Sequence, residues 1–126
     1  MATDFKARIS TEKYKNEIIV IFDFTKLTGN DFISMLKISE EYIVTEKDLL
    51  IIFDVTSATV FGEVLEEAKK FAKIIKNYRR KSALLGVIGA KKILLQSILF
   101  FSGGLHSRAM AFDAKEDALN WLVKPL

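Results

Sequence analysis

Leu49–Val55 reads Leu-Leu-Ile-Ile-Phe-Asp-Val. Every position but Asp54 is apolar, so the run has no polar face to offer to water. A strand of this kind is buried on both sides. In a chain of 126 residues, helices packed against a sheet are the ordinary way to bury both faces of a strand. Glu17–Phe24 (Glu-Ile-Ile-Val-Ile-Phe-Asp-Phe) and Ser82–Gly89 are further runs of the same type. Segments of helical period separate them. One runs from Gly29 to about Val44, with Phe32, Met35, Leu36, Tyr42 and Ile43 as its apolar side. The other runs from about Val60 to Arg79, where Phe61, Val64, Leu65, Ala68, Phe71, Ala72, Ile75 and Tyr78 form one stripe.

The remaining segments extend this rhythm. Phe5–Ser10 alternates as a short strand does, and polar Thr11–Asn16 joins it to Glu17–Phe24 in an antiparallel hairpin. Asn30 or Asp31 is placed to cap the first helix. Lys91–Ser102 reads as a helix stopped by Gly103-Gly104, His106–Phe112 as the last strand, and Ala114–Val123 as a closing helix before Pro125. Ala118, Trp121 and Leu122 are its structural residues. The expectation is an α/β chain with about five strands in a mostly parallel sheet, an N-terminal antiparallel strand and about four helices. No linker or low-complexity tract divides residues 1–126, so one domain is expected.

Several function classes are set aside by what the chain lacks. There is no cysteine and one histidine, His106, so disulfides, thiolate sites and multi-histidine metal centres are excluded. No cofactor is expected. Gly86-x-x-Gly89 and Gly103-Gly104 lack the glycine-rich fingerprint and lysine of phosphate loops. His106 opens a strand and Asp54 closes one expected to run parallel to it, which holds the two a strand length apart and excludes a triad. A net charge of +3 is too mild to point to nucleic acid. The N-terminus has no signal-peptide apolar core, and Ile93–Phe101, the longest apolar stretch, is too short to span a bilayer. A cytoplasmic, non-enzymatic protein is expected.

Three pieces together carry a family resemblance. They are Leu50-Ile51-Ile52-Phe53-Asp54-Val55, then Lys81-Ser82-Ala83-Leu84-Leu85-Gly86-Val87-Ile88-Gly89, then Ala111-Phe112-Asp113 with Glu116-Asp117-Ala118 and Asn120-Trp121-Leu122. The combination resembles the SpoIIAA-like, or STAS-type, domains of bacteria, best from about Leu49 to Leu122. The resemblance implies a strand–helix superhelix with near-sequential strands and helices mainly on one face, a fold shared with CRAL-TRIO lipid-transfer domains. It also implies a regulatory binding module, some relatives being switched by phosphorylation of a serine at the start of the helix after the central strand. The matching stretch here, Val60-Phe61-Gly62-Glu63-Val64, has no serine or threonine. Ser57 and Thr59 stand nearby, in the connection.

Two groups of residues are candidates for contact with a ligand or partner. Asp23 and Asp54, with Thr56 and Ser57, sit at strand ends where open α/β sheets place ligands. Two carboxylates there can hold a cation or act as acid and base, but each aspartate also caps a turn, with Thr25, Thr56 and Ser57 as further turn-formers, and that is the favoured reading. Lys69, Lys73, Lys76 and Arg80 share helical spacing and are expected to form a solvated face, with Glu66 pairing Lys70. The second group is Ile93, Leu94, Ile98, Leu99, Phe100 and Phe101. A helix on one sheet face needs an apolar stripe, and this one is apolar nearly all round. The expected function is a binding module acting through protein–protein contact, as a homodimer or with another partner. The alternative is a small carrier of a lipid or other hydrophobic ligand. Phe100→Glu or Phe101→Glu should convert a dimer into a folded monomer, read by light scattering. If the residues line a lipid site, lipid pickup is lost with no change in mass, and if both variants unfold, the helix is core.

Overall fold

The computed structural model describes residues 4–88 and 108–125. The expected apolar helix Lys91–Ser102, with its candidate residues Ile93, Leu94, Ile98, Leu99, Phe100 and Phe101, lies outside them, as do Gly103, Gly104 and His106. A 3-10 turn over Phe5–Arg8 leads into β1 (Ile9–Tyr14) and β2 (Glu17–Asp23). Then follow α1 (Gly29–Glu46), β3 (Leu49–Asp54), α2 (Glu63–Ile75), β4 (Arg79–Leu85), β5 (Ala109–Phe112) and α3 (Lys115–Leu122). The sheet order is sequential, β1-β2-β3-β4-β5. β1 is antiparallel to β2, and every other pair is parallel.

The hairpin forms later in the chain than its polarity suggests. Thr11–Tyr14 belongs to β1, and the turn is only Lys15-Asn16, closed by the Tyr14–Glu17 pair. Both turn residues have positive φ, 48° and 68°, which matches the twist of a two-residue hairpin. β1 is an edge strand, so its polar residues stay in contact with water. α2 is shorter than its apolar stripe. It begins after Gly62, whose φ of 60° breaks the backbone path, and its C-cap is Lys76. Phe61 and Tyr78 therefore leave the helix. Arg80 belongs to β4, where it pairs with Glu17 at 3.1 Å. Glu66 and Glu67 pair three residues on, with Lys69 and Lys70. The N-cap of α1 is Thr28, and no side chain makes the cap bond expected of Asn30 or Asp31.

Burial of β3 on both faces divides the core in two. On one face, α1 and α2 cover Val20, Phe22, Phe24, Ile51, Phe53 and Leu84. The Phe53 ring lies at the centre, with centroids 5.4 Å from Phe22, 5.5 Å from Phe71 and 6.1 Å from Phe24. Such pairs add about 0.5–1.5 kcal/mol each beyond their area. On the other face, Ala118, Leu119 and Leu122 of α3 cover Ile19, Leu50, Ile52, Ala83 and Leu85. The described helices are thus mainly on one face, with the closing helix on the other.

α3 is fastened by polar groups as well as by packing. Tyr14 Oη donates to Asn120 Oδ1 at 2.5 Å, and Lys115 pairs with Glu12 at 2.7 Å. Lys81, only 5% exposed, sends its ammonium to the far end of the helix. Nζ donates to the Trp121 carbonyl at 2.7 Å and the Lys124 carbonyl at 2.8 Å. It also lies 4.7 Å from the centre of the Trp121 ring, which packs on Phe112 at 5.4 Å. Carbonyls at a helix C-terminus have no partner within the helix, and a cation there also complements the dipole. Burial lowers the Lys81 pKa, helped by Lys124 and then Arg80. Lys81→Met keeps the stem and removes the ammonium. It should cost about 1.5–3 kcal/mol in urea unfolding, the range for hydrogen bonds made by a charged group, while the Trp121 carbonyl keeps the Lys124 amide at 3.3 Å. An unchanged midpoint would mean that water replaces the ammonium at no cost.

Candidate functional site at the carboxyl end of the sheet

β2, β3 and β4 run parallel, so their carboxyl ends lie at one end of the sheet. Asp23 and Asp54 are register partners there. Each is spent on its own turn. Asp23 Oδ1 accepts from the Thr25 amide at 2.9 Å and the Thr25 hydroxyl at 2.5 Å. Asp54 Oδ1 accepts from the Thr56 amide at 3.1 Å and the Thr56 hydroxyl at 2.6 Å. Arg8 adds an ion pair to Asp23 at 3.6 Å and donates to the Asp23 and Thr25 carbonyls at 3.1 Å. Among the described residues no group of three His, Cys, Asp or Glu converges. The repeated Asp-x-Thr, one copy at the end of each strand, is the sequence signal for this pair of turns.

The two turns are laced into one platform. The Phe24 amide donates to the Asp54 carbonyl at 2.8 Å, Lys26 to Thr56 at 3.0 Å, and Thr59 to Leu27 at 3.0 Å. A third connection comes in from β4. Gly86 has a φ of +80°, and a Cβ there would stand 2.1 Å from Thr56 Oγ1 and 2.6 Å from the Thr56 backbone. Only a glycine permits that approach. Ser57 has a φ of 60° and is exposed at the outer side of the platform.

Two large apolar side chains stand out at this end. Phe61, on the connection from β3 to α2, is 67% exposed. Ile88, after β4, is 72% exposed. Residue periodicity misplaces Phe61, because its spacing from Val64, Leu65 and Ala68 fits a helix that Gly62 does not allow to extend back so far. Of the four strand-end candidates, Asp23, Asp54 and Thr56 are tied into turns and Ser57 faces solvent. The described residues also frame two clefts. One of about 510 Å³ lies between β1 and α1, among Lys6, Thr11, Glu41 and Tyr42. The other, of about 380 Å³, lies at the opposite end of the sheet, among Lys47, Asp48, Lys76, Tyr78, Arg79 and Arg108. No helix among the described residues is long and apolar enough to cross a membrane.

Gly86→Ala tests whether the platform is rigid. It should destabilise the protein by roughly 2–5 kcal/mol, combining a left-handed backbone cost with a clash that moves Thr56. A thermal midpoint within a degree or so of the parent would show that the Thr56 turn yields freely.

No sequence-family model and no curated protein sequence matches the chain. Two solved structures are similar. One is an anti-sigma-factor antagonist (STAS) domain protein from Planctomyces limnophilus, with a TM-score of 0.61 and 16% identity over 92% of this chain and 98% of that one. The other is an uncharacterised protein of the DUF3478 family, with a SpoIIAA-like fold, from Shewanella loihica. Its TM-score is 0.60, with 20% identity over 90% of this chain and 91% of that one. Their likeness over nine-tenths of the chain gives it the SpoIIAA-like, STAS-type fold.

Proposed function

We propose that the chain is a non-enzymatic regulatory module that acts through protein–protein contact at the carboxyl end of its sheet. The observation that carries the reading is the exposure of Phe61 and Ile88 on two connections leaving neighbouring strands. Exposed aromatic and aliphatic side chains on a rigid base are the usual anchors of an interface. The laced turns beneath them lower the entropy cost of binding, because little remains to be ordered. Likeness to a STAS domain supports the regulatory part by analogy of fold. The Asp23 and Asp54 side chains serve the platform, which argues for a contact surface and against acid–base chemistry there.

The partner is a protein, and a second copy of the chain is the first to test. The apolar stretch Ile93–Phe101 follows Ile88 closely in sequence, and the reading includes Ile93, Leu94, Ile98, Leu99, Phe100 and Phe101 as further contact residues. Native mass spectrometry of the purified protein separates the outcomes. A doubled mass that Phe61→Glu returns to the monomer supports the proposal. A bound lipid adduct on a monomer supports a carrier of hydrophobic ligand instead. Because Phe61 is exposed, Phe61→Glu should change stability by no more than about 0.5 kcal/mol. A larger loss would make Phe61 a structural residue and remove the anchor.

A further inference from the structure

The amino end of the parallel strands has a different chemistry. The turn from α1 to β3 and the turn from α2 to β4 meet there, joined by the Asp48 amide donating to the Tyr78 carbonyl at 2.6 Å. Lys47 and Asp48 both have positive φ, 60° and 52°. Two successive non-glycine residues in that region are unfavourable, and such backbone tends to gather at binding sites. Around this floor stand Lys47, Lys76, Arg79 and Arg108, lining the cleft of about 380 Å³.

The charge in this cleft is not balanced from within. Asp48 is the one carboxylate among the lining residues, and it lies 3.9 Å from Arg80 Nε, which is itself paired with Glu17. Lys47, Lys76, Arg79 and Arg108 have no acidic partner among the described residues. Lys47 and Lys76 are the C-caps of α1 and α2, so the dipoles of those helices account for two of the cations. They do not account for the arginines. Arg79 is half-buried, and its Nη1 donates to the Arg108 carbonyl at 3.2 Å. That bond ties the first residue of β4 to the segment entering β5. Burial, and then the charge of Arg108, lower the Arg79 pKa to about 10, which leaves it charged at neutral pH. Both arginines line the cleft, and the charge of Arg108 acts on the partly desolvated Arg79 guanidinium, so an anion held in the cleft stabilises both.

We propose that this cleft binds a phosphate monoester group, held by the Arg79 and Arg108 guanidiniums with Lys47 and Lys76 as supporting charge. A planar guanidinium matches two phosphate oxygens at once, and the ester's double negative charge offsets the local excess of cations. A soluble phosphorylated metabolite and a lipid phosphate headgroup share this chemistry. The site stands at the opposite end of the sheet from Phe61 and Ile88, and it does not depend on the function proposed for them.

The test uses the full chain and inorganic phosphate, titrated at low ionic strength and followed by calorimetry. Saturable binding is expected. Arg108→Gln and Arg79→Gln should each weaken it by roughly tenfold or more, since each removes a charge-assisted contact. Lys37→Gln, on the exposed side of α1, should leave it unchanged. Arg79 opens a strand, so the fold of its variant is checked by circular dichroism. Arg108 is exposed, and its variant decides the question if the other unfolds. Sedimentation with phosphatidylcholine vesicles, with and without phosphatidic acid, distinguishes the sources. Pelleting only with phosphatidic acid assigns a headgroup, and phosphate binding without pelleting assigns a soluble ester. Absence of both phosphate binding and pelleting overturns the proposal, as does equal affinity in the parent and the folded arginine variants.

Discussion

The two-sided burial of β3 is the constraint on which the structure depends. Leu50 and Ile52 face one core while Ile51 and Phe53 face the other. Neither face can be left open, because each side chain of this size contributes about 1.5–3 kcal/mol when removed from water. α1 and α2 satisfy one face. The other would remain wet without α3, a helix of only 8 residues. A helix so short has little stability of its own. This explains why it is held at both ends, by Lys81 on the carbonyls of Trp121 and of Lys124 just past the helix, and by Tyr14 and Glu12 on Asn120 and Lys115. The buried ammonium of Lys81 is tolerable because it meets two carbonyls and the face of an indole.

With β3 covered on both faces, its ends remain open, as the edges of the sheet do, and the two ends are built differently. At the carboxyl end the backbone satisfies itself, through two Asp-x-Thr turns and cross-links between connections. The two carboxylates there are consumed, and Phe61 and Ile88 project beside exposed Thr56 and Ser57. At the amino end two helices finish, and their carbonyl ends attract cations. What projects is basic. The contrast follows from the parallel arrangement itself, which collects strand ends of one kind and helix termini of the other at each end of the sheet.

Much of the fold was legible because it follows from hydrophobic pattern. β2, β3, α1 and α3 fall close to where their apolar runs place them, since buried strands and amphipathic helices carry that pattern directly. β1 extends into the polar stretch Thr11–Tyr14 because an edge strand with one wet edge need not be apolar, so polarity there does not mark a loop. The apolar period overstates α2 because Phe61 and Tyr78 keep helical spacing, whereas the backbone at Gly62 decides where the helix starts. The start of β4 is hidden from hydrophobic pattern because Arg79, Arg80 and Lys81 are charged, yet their long side chains reach solvent, an ion pair or backbone carbonyls from within the strand. The candidate sites were less legible for a related reason. Asp23 and Asp54 were found from their position at strand ends, but whether a carboxylate is free or spent on a turn depends on three-dimensional partners. The meeting of Arg79 with Arg108 requires β4 to pair with β5, which no local spacing in the sequence encodes.

The same strands connect the two ends, and they also separate them. β3 has 6 residues, so about 20 Å of strand lies between the platform and the basic cleft at the usual rise. Side chains farther apart than roughly 7–10 Å, with no shared partner, perturb a protein nearly additively. The core between the ends is a packed aromatic cluster, with Phe53 among Phe22, Phe24 and Phe71. A substitution at Arg108 therefore leaves Phe61 in place, and one at Phe61 leaves the arginines in place. A double variant of the two that lost more stability or binding than the singles together would contradict this, and would require the sheet to have two arrangements.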